Sequence, residues 1–354
     1  MGAGKTEGPV LGNGAKLTKE ETLLVRLGEV LEGFGKHRVL VLGDIMLDEY
    51  LFGSAHRLSP EAPVPIVHVD GEESVLGGAG NVARNIIALG ARCDLVGVVG
   101  NDRAGGQVQE LASKSGLLVE GLVVDSTRPT SHKTRLLARA QQMIRFDREK
   151  LHPLEAAVAR RVFESVMAVA DEVDGALFVD YAKGTFSEDL ASQCIHALNE
   201  RSVPMAVDPK KRFDFFQGVD LVKPNLAEAE VLAEAPVGDP ANFGKLSKRL
   251  SEKFPKADLA ITLGRSGIFV KEAGSEGSRV GARPRDVFDV QGAGDTTLAS
   301  LWLSRLSGAS MEESAMIANA AAGVVVEKVG TAVVSQEEIR LRLPQSVAAF
   351  LETE

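Results

Sequence analysis

The chain has 354 residues, 44% of them hydrophobic and 25% charged, which is typical of a globular protein with a large core. Its net charge of −9 argues against nucleic acid or an anionic membrane as the main partner. The two cysteines, Cys93 and Cys194, lie in apolar surroundings far apart in the sequence, so we expect reduced core thiols and no disulfide or zinc framework. Without a long apolar span or an apolar secretory leader, a cytoplasmic protein is expected.

Along the chain, residues 1–16 are rich in Gly, Lys and Glu and are predicted to form a flexible tail, and residues 17–354 a single domain. A predicted amphipathic helix at 18–31 is followed by alternating strands and helices. Short apolar runs that predict buried strands lie at 39–43, 95–99, 176–179, 205–207, 221–222 and 259–263, and helical spacing is found at 81–89, 156–170 and 188–199. This alternation predicts an α/β fold with a mainly parallel sheet covered on both faces.

Two regions interrupt that pattern. Residues from about 50 to 70 contain three prolines and alternating apolar positions, and residues 118–147 alternate rather than follow helical spacing. We predict that both supply strands of a small β lid over the site, which could also form a homodimer surface. The alternative is a pair of surface loops.

Residues 289–295 (DVQGAGD) precede an apolar helical pattern and carry the most information. Glycines at 292 and 294 allow a tight turn, and the following helix would direct free N–H groups and its positive dipole end at an anion. Asp295 could accept the proton of an acceptor hydroxyl beside that anion, which suits phosphoryl transfer. The alternative is an ordinary glycine-rich helix start with an acidic residue near its N-terminus.

Polar residues also follow the predicted strands, where ligands of parallel sheets bind. Asp44, directly after the first strand, could bind sugar hydroxyls or be a turn aspartate. The run GGAGN at 77–81 opens a helix, so Gly78 could allow close ligand approach and Asn81 could contact ligand. The alternative is helix capping by Asn or Gly. Asp180 and Lys183 could meet substrate or pair with each other.

Later strand ends add further candidates. Lys210 could face a nucleotide phosphate or be solvated. Asn225 and Glu228 could share one side of a helical turn and hold magnesium through water, or form a capping box, and both could hold at once. Residues 262–267 (TLGRSG) form a strand ending in a glycine turn that suits a nucleotide.

These runs together resemble the ribokinase-like carbohydrate kinases of the phosphofructokinase B family, over roughly residues 36–340. The resemblance is carried by residues 77–81 (GGAGN), 225–228 (NLAE) and 292–295 (GAGD). Within the family the chain is most similar to the heptose 7-phosphate kinases, through residues 43–48 (GDIMLD), 59–65 (SPEAPVP), 141–147 (QQMIRFD), 180–184 (DYAKG) and 319–326 (NAAAGVVV).

The resemblance implies a ribokinase-like three-layer sandwich with a small β lid and ATP-dependent phosphorylation of a sugar. The implied reaction converts D-glycero-β-D-manno-heptose 7-phosphate to the 1,7-bisphosphate for ADP-heptose and lipopolysaccharide synthesis, with ATP, Mg²⁺ and a monovalent cation such as K⁺. It implies that Asp295 is the base, that the amides of Gly292, Ala293 and Gly294 stabilise the moving phosphoryl group, and that Asp44, Gly78 and Asn81 position the sugar.

The resemblance also implies roles for residues around the nucleotide. Asn225 and Glu228 would serve phosphate and magnesium, Asp289 a monovalent cation, and the nucleotide would lie by Thr262, Gly264, Gly267 and Asn319. For the sugar phosphate the candidates are Lys133, Arg135, Arg145 and Lys183.

The chain departs from the heptose kinases in two ways. Gln291 stands where they usually have Thr, and no His-x-Gly-His motif of a nucleotidyltransferase occurs, so we expect adenylylation to need a separate protein. A kinase for another sugar phosphate or nucleoside, and a non-catalytic sugar- or nucleotide-binding regulator, remain alternatives. A NAD-dependent oxidoreductase is disfavoured because no Gly-x-Gly-x-x-Gly run follows the first strand.

Overall fold

A computed structural model describes residues 17–138, 141–234, 243–283, 289–328 and 330–352. The predicted tail at 1–16 lies outside the described residues. In the described part of the chain, no helix is both long enough and apolar enough to cross a membrane.

The elements alternate much as the sequence predicts. The strands are β1 (Arg38–Gly43), β2 (Ile45–Leu58), β3 (Pro65–Gly78), β4 (Arg92–Gly100), β5 (Leu122–Asp125), β6 (Ser131–Ala138), β7 (Gln141–Arg148), β8 (Gly175–Val179), β9 (Met205–Asp208), β10 (Leu221–Val222), β11 (Asp258–Thr262), β12 (Ile268–Lys271) and β13 (Ser278–Val280). The helices are α1 (Lys19–Gly33), α2 (Ala79–Ala88), α3 (Arg103–Lys114), α4 (Ala156–Val169), α5 (Glu188–Glu200), α6 (Leu226–Ala233), α7 (Phe243–Lys253), α8 (Ala293–Leu306), α9 (Met311–Val325) and α10 (Gln336–Leu351).

A large sheet forms the centre of the fold, and nine of the described strands belong to it in the order β13-β12-β11-β10-β9-β8-β1-β4-β5. The seven strands from β11 to β5 are parallel, and β12 and β13 are antiparallel additions at one edge. The predicted mainly parallel sheet is confirmed.

Helices cover both faces of this sheet because its strands are apolar on both sides. Val39 and Val41 of β1 pack into a core with α1, α2, α3, α8, α9 and α10, whereas the alternating Leu40 and Leu42 pack into a second core with α4, α5, α6 and α7. The predicted three-layer arrangement is therefore present. Cys93 and Cys194 are free and buried, one in each core, as expected.

A small sheet of four described strands, in the order β3-β2-β6-β7, stands apart from the large one. β2 pairs antiparallel with β3 and parallel with β6, and β6 pairs antiparallel with β7. The prediction of lid strands over the whole of 118–147 is wrong for its first part, because β5 pairs with β4 and extends the large sheet. A four-residue edge strand is too short for its alternation to reveal which sheet it joins.

The parallel strands bring their carboxyl ends to one edge of the large sheet, which is where functional side chains of such folds collect. Asp44 follows β1 and Asp180 follows β8. Asp208 ends β9, Lys223 follows β10 and Thr262 ends β11. The first four of these residues are buried, so they form the floor of one site.

Candidate functional site

The start of α8 is built around an unusual turn. Gly292 has φ 75° at the N-cap position, a left-handed conformation that favours glycine, and no side chain among the described residues caps the helix. Asp289 closes the preceding turn, accepting hydrogen bonds from the amides of Gln291 (2.9 Å) and Gly330 (3.2 Å). Ala293 and Gly294 remain partly or fully exposed, so the first turn of α8 faces open space with its positive dipole end.

Asp295 lies in the first turn of α8 and is only 4% exposed. Its Oδ1 accepts a hydrogen bond from the Tyr181 hydroxyl (2.6 Å), and its Oδ2 accepts one from the Asn81 amide (2.7 Å). Burial raises the pKa of Asp295 to about 6, although both hydrogen bonds act to lower it. A carboxylate with a pKa near neutrality can accept a proton and later release it, which is what a general base requires.

The beginning of α2 places Asn81 against Asp295. Gly78 precedes the helix with φ 57°, and a Cβ there would lie 2.3 Å from the carbonyl oxygen of Asp44, so glycine is required. Gly78 is the N-cap of α2, as the glycine form of the capping alternative predicted, whereas Asn81 does not cap the helix and its amide reaches across to Asp295. Its Oδ1 is buried without a hydrogen-bond partner among the described residues and is therefore an available acceptor.

Asp44 organises the loop after β8. Its carboxylate is 1% exposed and accepts backbone hydrogen bonds from Tyr181 (2.8 Å), Lys183 (2.9 Å) and Thr185 (3.1 Å). This geometry favours the turn-aspartate alternative over direct sugar binding. Its consequence for the site is indirect, because the same loop carries Tyr181 towards Asp295.

Asp180 and Lys183 do not pair with each other, so that alternative is wrong. Asp180 accepts backbone hydrogen bonds from Ala182 (2.8 Å) and Lys210 (3.3 Å), while Lys183 Nζ lies 2.7 Å from the Glu149 carboxylate. Burial, with the nearby Asp44 carboxylate, raises the pKa of Asp180. Asp180 thus joins two loops at the floor of the site.

Lys210, Asn225 and Glu228 form one cluster. Asn225 and Glu228 make a reciprocal capping box at the start of α6, with hydrogen bonds of 2.9 and 2.8 Å, as one of the two interpretations predicted. Lys210 is not simply solvated, because its ammonium pairs with the Glu228 carboxylate. Glu228 is partly exposed and keeps lone pairs for a ligand.

Asp208 and Lys223 supply a second charge pair beside this cluster, joined at 2.8 Å and both buried. Asp208 Oδ1 has no hydrogen-bond partner among the described residues. An orphaned buried carboxylate oxygen and the accessible Glu228 carboxylate are hard donors of the kind that Mg²⁺ accepts, directly or through water. The residues therefore fit a magnesium ion, although no group of three or more His, Cys, Asp or Glu side chains with metal-ligand geometry occurs in the part of the chain described.

A mostly apolar pocket of about 270 Å³ adjoins the first turn of α8. It brings together residues that the sequence assigned to the nucleotide and to the phosphoryl group, namely Thr262, Gly264, Gly267, Asn319, Ala293 and Gly294. Asn319 also donates to the carbonyls of Val280 and Gly281 (both 3.0 Å), which holds the end of β13 against α9. Helix α10 also lines this pocket, through Arg342, Gln345 and Ser346, which was not predicted from the sequence.

The four candidate cations for a sugar phosphate differ in their partners. Arg135 is buried, pairs with Asp48 at 2.6 Å and lies over the Tyr50 ring, whereas the exposed Arg145 pairs with Asp147 at 2.8 Å. Lys183 is engaged by Glu149, as described above.

Lys133 is the candidate without a carboxylate within 4 Å among the described residues. Its Nζ lies 5.9 Å from the centre of the Tyr181 ring. Burial lowers the pKa of Lys133, as do the nearby cations Lys183, Arg135 and Arg145, while Asp48 opposes them. An ammonium group that is half-buried and surrounded by other cations is well suited to receive an anion.

Two contacts of the site have no counterpart in the sequence analysis. Tyr181 lies within the DYAKG run, but only the fold shows that its hydroxyl reaches Asp295. Tyr50 on β2 donates to Gln291 Oε1 (2.9 Å), which joins the small sheet to the turn before α8. Both tyrosines, the only two in the chain, contact residues 291–295 from different elements.

Comparison with known proteins identifies relatives across most of the chain. A model of the pfkB family carbohydrate kinases matches residues 36–338. The bifunctional protein HldE of Geobacter sulfurreducens is 40% identical over 306 residues, covering 86% of this chain and 62% of HldE. HldE of Desulfatibacillum aliphaticivorans is 38% identical over 318 residues, covering 90% and 65%. The chain thus spans less than two thirds of these relatives' length.

Solved structures share the fold at low sequence identity. Phosphofructokinase-2 from Escherichia coli, solved in complex with potassium, has a TM-score of 0.71 and 19% identity, covering 87% of this chain and 97% of that one. Arabidopsis thaliana ribokinase, solved with ribose and ATP, has a TM-score of 0.67 and 18% identity, covering 87% and 98%. The predicted ribokinase-like fold is confirmed. From the family match, this chain belongs to the pfkB family of carbohydrate kinases, ATP-dependent enzymes that phosphorylate sugars.

Proposed function

We propose that this chain phosphorylates the anomeric hydroxyl of D-glycero-β-D-manno-heptose 7-phosphate with ATP, giving the 1,7-bisphosphate that leads to ADP-heptose and lipopolysaccharide. The observation that carries the proposed chemistry is the buried Asp295 carboxylate, held between Tyr181 and Asn81 at the uncapped start of α8. The heptose substrate is supported by the resemblance of five sequence runs to heptose 7-phosphate kinases and by the HldE relatives.

The proposed transfer proceeds in line. The sugar hydroxyl donates its proton to Asp295 as its oxygen attacks the terminal phosphorus of ATP, and ADP leaves from the opposite side. The amides of Gly292, Ala293 and Gly294 at the start of α8 stabilise the negative charge on the transferred group, because no side chain among those described caps them. The Ala293 amide, which donates to the Val290 carbonyl at 3.3 Å, would exchange or share that long hydrogen bond with the phosphoryl oxygen.

The pocket between α8, α9 and α10 is the proposed site of the nucleotide. Thr262, Gly264, Gly267 and Asn319 would line its adenosine end, and Lys210 and Asn225 would lie towards the phosphates. In this arrangement the terminal phosphate would reach the first turn of α8, because Ala293 and Gly294 line the same pocket.

Two ions complete the proposal. Glu228 would hold Mg²⁺ through water, and the ion when bound would neutralise charge on the ATP phosphates. Asp289, whose carboxylate joins the turns at Gln291 and Gly330, would contribute to a monovalent-cation site, and the Escherichia coli phosphofructokinase-2 neighbour was solved with potassium. Omitting each ion from the assay would test both assignments, since unchanged turnover would refute the corresponding site.

The sugar would lie between Asp295 and the cations of the small sheet. Gly78 and Asn81 would shape its anomeric end, and Asp44 and Asp180 would act by holding the surrounding loops. We assign the sugar phosphate to Lys133, because Arg135, Arg145 and Lys183 are each already paired with a carboxylate.

The first prediction concerns the reaction itself. ADP release, measured by a coupled assay against heptose 7-phosphate, fructose 6-phosphate, ribose and adenosine, should be fastest with the heptose. Asp295→Asn should bind both substrates yet lose about 10²- to 10⁴-fold in turnover, as expected on loss of a general base. Near-normal turnover of that variant would refute the catalytic role, and a preference for another acceptor would refute the heptose assignment.

Lys133→Met should weaken recognition of the sugar phosphate. The KM for heptose 7-phosphate should rise roughly 10- to 100-fold, because a charge-assisted hydrogen bond is lost. The low activity on heptose lacking the phosphate should not change. Lys114→Met, at an exposed pair on α3, serves as the control. Equal losses on phosphorylated and unphosphorylated heptose would contradict the assignment.

The buried Asp295 should also make the protein less stable at neutral pH. Because its pKa in the folded protein is about 6 rather than 3.8, the folded state binds more protons between these values, so stability falls as pH rises through that window. Asp295→Asn should therefore be more stable than the wild type at pH 8, by roughly 2–3 kcal/mol at most, with the gain vanishing below pH 4.

Urea unfolding from pH 4 to 8 checks this, with Asp70→Asn on the exposed part of β3 as a control for the loss of one negative charge. A stability difference that is independent of pH, or a variant less stable than the wild type at pH 8, would count against the buried-charge account.

We further propose that the small sheet joins two copies of the chain. β7 is an edge strand whose eight residues are all exposed, among them Met143, Ile144 and Phe146. An apolar edge strand with unpaired backbone groups favours pairing with another strand. Ile144→Asp should convert the dimer to a monomer in sedimentation experiments, whereas Val231→Asp, at a still more exposed position on α6, should not. A monomeric wild type at micromolar concentration would exclude the dimer.

A further inference from the structure

Tyr181 occupies a position that the proposed reaction has not yet used. Its hydroxyl donates to Asp295 Oδ1 at 2.6 Å, the shorter of the two hydrogen bonds to that carboxylate. The residue lies in the loop after β8, and its backbone amide is held by the buried Asp44. The next residue, Ala182, has φ 56°, a left-handed conformation that a non-glycine residue adopts only when its surroundings enforce it.

We propose that Tyr181 is a positioning residue for Asp295, whose hydroxyl fixes the orientation of the carboxylate and keeps it in the ionised form that can accept a proton. The proposal rests on the function proposed above, in which Asp295 is the base. It adds a residue outside α8 to the control of that base.

The chemistry of the phenol supports a donor role. Burial, with the nearby carboxylates of Asp295 and Asp208, raises the pKa of Tyr181 well above its usual value, so the hydroxyl keeps its proton throughout the working pH range. A neutral phenol stabilises the ionised form of a neighbouring carboxylate by donating a hydrogen bond to it. Accordingly, the hydrogen bond from Tyr181 lowers the pKa of Asp295 against the raising effect of burial.

The carboxylate keeps room for its substrate. An ionised carboxylate has about four acceptor positions, and Tyr181 and Asn81 occupy one on each oxygen. Acceptor positions therefore remain for the sugar hydroxyl. Two fixed donors from different elements leave the carboxylate little freedom to rotate, so its remaining lone pairs have a defined direction.

The ring of Tyr181 lies close to two cations. Lys133 Nζ of β6 lies 5.9 Å from the ring centre, and Lys210 Nζ, after β9, lies 5.2 Å from it. The small sheet and the large sheet thus both contact the residue that orients the base. A sugar phosphate bound at Lys133 would therefore lie close to the ring of Tyr181.

Other charged groups act on the same pair and must be considered in any pH experiment. Asp208 raises the pKa of Asp295 and Lys223 lowers it, and Asp48 of β2 adds to the raised pKa of Tyr181. These groups are unchanged by removal of one hydroxyl, so a Tyr181→Phe variant isolates the hydrogen bond while keeping the ring near both cations.

The test follows the Asp295 carboxyl group by ¹³C NMR, assigned by its loss in Asp295→Asn, together with the pH dependence of kcat/KM. In Tyr181→Phe both the NMR titration and the acid limb of the rate profile should move to higher pH by about one unit, since a hydrogen bond to a charged group is lost. The matched control is Tyr50→Phe, which removes the only other tyrosine hydroxyl of the chain, one that contacts Gln291 rather than Asp295.

A second variant keeps the inference testable if Tyr181→Phe folds poorly. In a Tyr50→Phe background, incorporated fluorotyrosine occupies position 181 alone, and its more acidic hydroxyl is a stronger donor. The Asp295 titration should then move to lower pH.

The outcomes separate the two proposals. An Asp295 titration that is unchanged in Tyr181→Phe and in the fluorotyrosine protein overturns the role of Tyr181. A titration that moves while the rate profile stays in place supports the hydrogen bond as described, and refutes instead the assignment of Asp295 as the catalytic base.

Discussion

The site depends on one buried carboxylate that two neutral donors hold at the start of an uncapped helix. Asp295 is costly to bury, because burial favours its protonated form. The surrounding structure offsets that cost with hydrogen bonds from Tyr181 and Asn81, and each of these residues is positioned by a specific local feature. Asn81 depends on the left-handed Gly78, and Tyr181 depends on the buried Asp44.

The two sides of this carboxylate differ in the charge that they present. On one side, an uncapped helix start opens into a largely apolar pocket, which suits a nucleotide whose phosphates approach peptide dipoles. On the other side, the small sheet and the loop after β8 present several cations, most of them already paired with carboxylates. In a chain with an overall charge of −9, Lys133 is the one of these four cations with no carboxylate within 4 Å among the described residues, which supports the proposed anion site.

Much of this arrangement could be predicted from the sequence. The apolar runs of β1, β8 and β9 predicted those strands to within one residue at each end, because strands buried on both faces read as continuous hydrophobic segments. The glycine turn before α8 was recognisable from two glycines and an acid at fixed spacing. The partners of the site residues were not predictable, because they lie far apart in the chain: Tyr181 is 114 residues from Asp295, and Arg135 is 87 from Asp48.

The same reason explains the predictions that failed or shifted. Asp180 and Lys183 are near neighbours in sequence, yet Lys183 pairs with Glu149, and the carboxylate of Asp180 accepts hydrogen bonds from backbone amides. Likewise, residues 118–147 alternate throughout, but only their later part joins the small sheet. Alternating apolar and polar residues indicate that one face of a strand is buried. They do not indicate which neighbouring element covers that face.

³¹P NMR of a complete reaction mixture tests the central claim most directly. That claim is that the site around Asp295 transfers the terminal phosphoryl group of ATP to the anomeric oxygen of a phosphorylated heptose. The account predicts that ATP and heptose 7-phosphate yield ADP and a second sugar phosphate resonance coupled to the anomeric proton. Formation of ADP with inorganic phosphate alone, or of a phosphate ester at another carbon, would contradict it.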